Sequence, residues 1–193
     1  MKRYDLYKPS GISWIGEIPS HWEKSQLRKF LTLVSEKGHG DKQLLSVTRE
    51  YGVIVRDVES KEENHNFIPD DLSNYKLVKV GQLAINKMKS WQGSYAVSNY
   101  EGIVSPAYYI CDLNFDNKEF FSWAIRSKAY VPFFTQMSKG IRVDQWDLST
   151  NALKEIPFFV PSADEQRQIV EYLSTKTSQI DAQQRERERV TAA

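Results

Sequence analysis

The sequence predicts a mixed α/β domain: a twisted, mostly antiparallel sheet with flanking helices, followed by an α-helix that projects from its C-terminal end. Three observations predict it. Short β-branched or apolar runs recur between turn residues, as in Leu44 to Thr48, Val53 to Arg56 and Ala107 to Cys111. Between positions 118 and 137 the apolar residues change to helical spacing. A capping signal at Ser162 to Glu165 then opens a long polar segment with a single apolar stripe. The domain is expected over residues 1–160 and the helix over 161–193.

Taken in order, residues 1–19 are rich in Gly, Pro and Ser and read as an arm, with Trp14 and Ile15 as possible anchors. Ser20 and Glu23 have capping-box spacing and open a helix on one assignment. The competing assignment is a short strand from Trp22 to Leu27, with a helix only from about Arg28 to Val34. Pattern leaves the two open. Residues 36–42 form a loop. The two β-branched runs either side of Tyr51 and Gly52 pair as strands. The run Val78 to Ile85 turns at Gly81 into a strand, and Tyr95 to Val97 and Ala107 to Cys111 add two more. Asp116 or Asn117 caps a helix over about 118–126, where Phe120, Phe121, Ala124 and Ile125 share a face. A second helix covers Tyr130 to Met137, with Pro132 in its first turn, where proline is tolerated. Ile156 to Val160 is a short strand. In the last helix Ile169, Leu173 and Ile180 lie on one stripe, at spacings of four and seven. Beyond Ile180 the stripe fades into QQRERERV, charged all round. Such a seam packs on the domain itself or on a second helix.

The chain has 193 residues, 40% of them hydrophobic and 26% charged, which suits one globular domain with an appendage. One cysteine, Cys111, excludes an internal disulfide framework and fits a reducing compartment. No apolar h-region opens the chain, and no apolar run approaches the ~20 residues of a membrane span. The cytoplasm is the expected location. The net charge is +1, but the charge is segregated. Residues 72–100 hold four lysines and no acid, and residues 120–143 repeat the pattern with Arg126, Lys128, Lys139 and Arg142. Segregation of this kind builds a positive face on a neutral protein, although solvated faces also differ by chance.

Several chemistries lack their residues. His21, His39 and His65 fall in loops or beside a cap, so no zinc-ligand spacing exists. Cys111 ends an apolar strand and reads as a buried thiol. No phosphate-binding GxxxxGK[ST] loop occurs, and no Asn-Pro-Pro or Asp-Pro-Pro of an adenine methyltransferase. Pro69-Asp70 followed by Asp116-Asn117-Lys118 formally matches a nuclease pattern, but the second element sits in a polar turn.

Four stretches carry a resemblance when taken together. They are SGISWIGEIPSHWE (10–23), NKMKSWQG (86–93) with GIVSPAYY (102–109), SKGIR (138–142), and LKEIPFFVP (153–161) with EQRQI (165–169). In this order the chain resembles the specificity subunit of type I restriction–modification systems. The resemblance implies a target recognition domain that reads one half of a bipartite DNA site, plus one conserved helix of a spacer coiled coil. A full subunit of that family has two domains and two helices. The chain is then either a half subunit that pairs with its own copy or a fragment of a longer one. The implied partners are double-stranded DNA, the type I methyltransferase subunits and, indirectly, the restriction subunit. The chain itself would be non-catalytic and hold no cofactor. S-adenosylmethionine and ATP belong to the partner subunits.

The candidate DNA contacts come from the residues themselves. Lys87 and Lys89 share one face if residues 86–90 are a strand, and they suit phosphates. Gln92 before Gly93 suits a base edge, with Ser94 and Tyr95 adding hydrogen bonds. Trp91 and Tyr95 are alternatively core. Arg49 could fork onto guanine and Tyr51 stack, unless Arg49 and Glu50 form only a surface turn. Lys139 and Arg142 flank Gly140 as a third element, followed by Gln145 and Trp146. Ile169, Leu173 and Ile180 are the candidate partner-helix or dimer face. The rival functions are a metal-dependent nuclease built on Asp70 and Asp116, and a helical interaction module without DNA.

Overall fold

The computed structural model describes residues 4–57, 68–140 and 146–191. A four-stranded antiparallel sheet lies at the centre. It is ordered β4 (Leu31–Val34), β11 (Tyr108–Leu113), β8 (Leu83–Asn86) and β9 (Tyr95–Val97). Its register explains why these strands read as continuous apolar runs rather than alternating ones. Ile85 lies opposite Tyr95 and Tyr109, and Ala84 lies opposite Ala96 and Ile110. The first set faces one core and the second set faces another, so the sheet is buried on both sides.

The larger core lies under α1 (Lys118–Arg126) and α2 (Val131–Met137). Asn117 caps α1 by accepting from Phe120 N at 2.9 Å, and Phe120, Phe121 and Ile125 turn inward. On the opposite face the hairpin of β5 (Leu45–Thr48) and β6 (Gly52–Val55) packs Leu45, Val47 and Val53 against Ala84 and Ala96. The two alanines make room for this close approach. Beside it β7 (Lys76–Val78) pairs with β10 (Gly102–Val104).

Local signals placed the β5–β6 hairpin, β8, β9, β11, α1 and α2 within a few residues of the expected bounds. The stretch after residue 20 follows the strand assignment. β3 (Glu23–Gln26) forms an antiparallel ladder with β14 (Pro157–Val160), with Ser25 opposite Phe158. The expected helix over 28–34 is corrected: a 3₁₀ turn (Leu27–Lys29) leads directly into β4, which pairs with β11. A seven-residue helix loses there to a ladder that buries Leu31 against the main core. The arm is itself ordered. β1 (Tyr7–Pro9) pairs with β2 (Glu17–Pro19), and Trp14 anchors it by donating to Ala129 O at 3.0 Å and packing edge-on against Phe133. Two short strands, β12 (Ser138–Lys139) and β13 (Asp147–Leu148), and α3 (Thr150–Glu155), capped by Ser149, complete the domain.

α4 (Ala163–Thr191) leaves the domain after β14. Its first turns pack inward through Gln166, Ile169 and Val170, and Ser174 donates to Glu119 of α1. Past Thr177 the described side chains are exposed. Among the described residues no helix is long and apolar enough to cross a membrane.

Candidate nucleic-acid interface

Two loops meet at one end of the central sheet. The first is the β5–β6 tip. Thr48 Oγ1 accepts from Tyr51 N at 3.0 Å and donates to Gly52 O at 3.2 Å, which closes a tight turn. Gly52 takes a left-handed φ of 73°, and a Cβ there would sit 2.9 Å from Ala96 Cβ. The turn thrusts Tyr51 outward, 81% exposed, and pairs Arg49 with Glu50 at 2.7 Å.

The second loop joins β8 to β9. Residues 87–89 form a turn, with Lys89 N on Asn86 O at 3.0 Å, and Ser90–Gln92 form a 3₁₀ turn closed by Gly93 at φ 98°. This corrects the expected strand over 86–90, so Lys87 and Lys89 do not alternate along a sheet edge. Asn86 starts the turn early by accepting from Met88 N on its side chain. α2 holds the loop from behind, where Thr135 Oγ1 donates to Trp91 O at 2.9 Å.

Between the loops runs an open cleft of about 610 Å³, lined among others by Arg49, Glu50, Trp91, Gln92, Arg126 and Lys128. The two acid-free stretches of the sequence converge here, one supplying Trp91 and Gln92 and the other Arg126 and Lys128. Arg126, at the end of α1, donates to five backbone carbonyls. Its Nη2 reaches Arg49 O (2.8 Å) and Glu50 O (3.0 Å), and its Nη1 reaches Gly93 O (3.1 Å), Tyr95 O (3.3 Å) and Thr48 O (3.4 Å).

The predicted contacts divide accordingly. Arg49, Tyr51, Lys89, Gln92 and Lys139 are exposed, with Arg49 and Gln92 brought to the same cleft. Lys87 is only 31% exposed and is paired with Asp147 at 3.1 Å, so its charge is already met. Trp91 is half-buried and packs edge-on against Trp146 at 5.4 Å. Arg142 and Gln145 lie outside the described residues.

Ser94 and Tyr95 are corrected. They are 4% and 1% exposed and cannot meet a duplex. Pairing with Ile85 turns Tyr95 into the core, where its ring stacks on Phe134 at 3.8 Å. Burial pushes its hydroxyl pKa well up, and the hydroxyl has no hydrogen-bond partner there. Tyr95→Phe removes an unsatisfied buried hydroxyl. It is expected to leave DNA retention unchanged and to keep or raise stability, by up to about 1 kcal/mol; a drop in retention by a fully folded variant would return Tyr95 to the contact surface.

Of the helix stripe, Ile169 is half-buried against the chain's own core. Leu173 is half-buried and Ile180 is 52% exposed. Elsewhere, Cys111 is fully buried, with burial pushing its thiol up to about 12. Among the described residues no three His, Cys, Asp or Glu side chains converge as metal ligands, and Asp70 and Asp116 sit exposed before β7 and α1. Charge alone pointed to Arg126 and Lys128. Nothing in the sequence showed that Arg126 spans two loops.

No protein-family profile and no curated protein sequence matches the chain. Solved structures do. The S subunit of a type I restriction–modification system from M. genitalium superposes with a TM-score of 0.52 at 13% identity, over 84% of this chain and 40% of that one. The HsdS subunit from Thermoanaerobacter tengcongensis gives 0.57 at 16% identity, over 87% of this chain and 45% of that one. A chain from a structure of type I R-M complex assembly and conformational transition gives 0.59 at 15%, with coverages of 87% and 45%. The chain has the fold of these subunits, a mixed α/β domain with antiparallel sheets followed by a long helix, and spans less than half the length of each.

Proposed function

We propose that the chain is a DNA sequence-recognition unit of a type I restriction–modification system, reading one half of a bipartite site. The observation that carries this is the cleft between the two loops, on a fold similar to that of S subunits. It offers forked side chains for base edges, Gln92 and Arg49, the latter paired with the exposed Glu50, and Lys128 in the same lining for phosphates. The chain is non-catalytic on this reading. It would direct an adenine methyltransferase, and through it a restriction subunit, which bring S-adenosylmethionine and ATP respectively. Residues 161–193 act as the spacer helix, and its exposed stripe at Ile180 would join a second helix, from a copy of this chain or from a longer one. The cytoplasm follows as the compartment.

Selection from a randomised duplex library, with and without a type I methyltransferase subunit, tests this. One enriched short motif is expected. Salt-sensitive retention without enrichment in either condition would overturn it and leave a non-specific binder or an interaction module, which Leu173→Glu would then disrupt.

The electrostatic half is tested separately. Lys89→Ala and Lys139→Ala should weaken binding to all sequences alike and flatten the slope of log K against log salt by about 0.9 each. Asp147→Asn frees Lys87 and should steepen that slope by about the same amount. Altered base preference with an unchanged slope would remove these residues from the phosphate contacts.

A further inference from the structure

We propose that Arg126 is a positioning residue that joins the β5–β6 tip and the 86–94 loop into one rigid reading head, so that the bases met by Arg49 and by Gln92 are recognised together. The inference rests on the reading of the cleft as a DNA-recognition surface.

Each loop is closed locally by its own bonds, and those bonds do not fix one loop against the other. Arg126 does. Its two terminal nitrogens take the carbonyls of Thr48, Arg49 and Glu50 from one loop and those of Gly93 and Tyr95 from the other. All five acceptors are neutral backbone oxygens, so the guanidinium keeps its charge while it ties two segments together. The glycines allow this. No side chain stands between the loops at Gly52 or Gly93, and the stem of Arg49 lies over Gly93, with Cγ 3.6 Å from where a Cβ would be. Arg49 is therefore set against the residue that follows Gln92. The two forked readers ride on backbones held by one cation.

A lysine cannot do the same. Its ammonium has three hydrogens on one atom and no planar fork, so it retains the charge and loses the bridge. Arg126 is also outside the apolar clusters, and four of the five residues whose carbonyls it would release, all but Thr48, line the open cleft. Arg126→Lys should fold.

The test uses the full chain and the motif from the selection. With Arg126→Lys, discrimination against single mismatches should fall about tenfold at the positions read by Arg49 and by Gln92 alike. Non-specific affinity and salt slope should stay at wild-type values, which a general loss of structure would not allow. Arg49→Ala and Gln92→Ala should be non-additive by about threefold or more in the wild type, and additive in the Arg126→Lys background. Amide exchange of the free protein supplies a readout without DNA: Tyr51 and Gly93 should lose protection together. Mismatch discrimination intact in Arg126→Lys, or exchange raised in neither loop, overturns the positioning role. Loops that loosen together in a chain showing no sequence preference in the wild type overturn the DNA reading instead.

Discussion

Phe158→Ala is expected to cost the domain about 3–5 kcal/mol, seen as a lower denaturant midpoint with an unchanged slope. Phe158 is fully buried at the centre of β14. Its ring stacks on Phe121 at 4.7 Å and meets Phe30, Phe115 and Tyr130 edge-on or tilted at 5.6–5.7 Å. Those partners come from the segment before β4, the link into α1, α1 itself and the start of α2. The strand's other anchor is the ladder to β3. Truncation therefore opens a cavity where parts of the chain remote in sequence meet, and rigid aromatic neighbours cannot collapse into it. Phe158→Leu keeps much of the volume and should cost less than half as much. Equal losses for both variants would mean that ring stacking, rather than cavity volume, sets the cost.

The same residue shows what the sequence could and could not reveal. The run IPFFV between two prolines reads as a short strand on local evidence, and it is one. Its partner, Glu23–Gln26, lies more than a hundred residues away and is polar, with no alternation to mark it. Leu31–Val34 is equally short, and its ladder to β11 is non-local. Where only a distant partner decides between a helical turn and a strand, propensity has little to weigh. The helices were legible because caps and spacing are local: Asn117 before α1, and an apolar face at every third or fourth residue.

Of the candidate site, charge could be read from the sequence but depth could not. Two acid-free stretches line one cleft, together with Arg49 and Glu50. Which members face solvent depends on the tertiary fold: Gln92 is exposed in the loop, whereas Ser94, Tyr95 and Ala96 are all buried because the sheet is covered on both faces. The ion pair between Lys87 and Asp147 spans 60 positions and enters no local pattern. Arg126 looked like any cation in a helix's last turn, where it would suit the dipole. Only the folded chain brings five carbonyls to it.

Glu165→Ala is the second large effect, expected to cost about 2–3 kcal/mol by leaving the Tyr4, His21 and Trp22 donors without their acceptor. The capping box read at Ser162 to Glu165 forms by half: Glu165 N donates to Ser162 Oγ at 3.4 Å. The carboxylate turns instead to the arm, accepting from Trp22 Nε1 at 3.0 Å, from His21 Nε2 at 2.8 Å and from the Tyr4 hydroxyl. Burial by itself would raise the Glu165 pKa, but these three bonds outweigh it and hold the carboxyl below its ordinary range. Burial and the adjacent carboxylate push Tyr4 up to about 12, so it stays a donor at any working pH. A depressed carboxyl binds its proton less readily folded than unfolded. Its contribution is thus complete above the ordinary glutamate value and disappears as pH falls through the folded value. Glu165→Gln, which keeps one acceptor oxygen but cannot titrate, should be less stable than wild type near neutrality, with the gap narrowing as pH falls below the ordinary glutamate value of about 4.3. Chemical unfolding followed by tryptophan fluorescence at several pH values measures this, and a constant gap between the two from about pH 3 to 7 would show that the carboxylate is not the clamp. Because Glu165 lies in the first turn of α4, these bonds add to the packing of Gln166, Ile169 and Val170 that sets how the long helix leaves the domain.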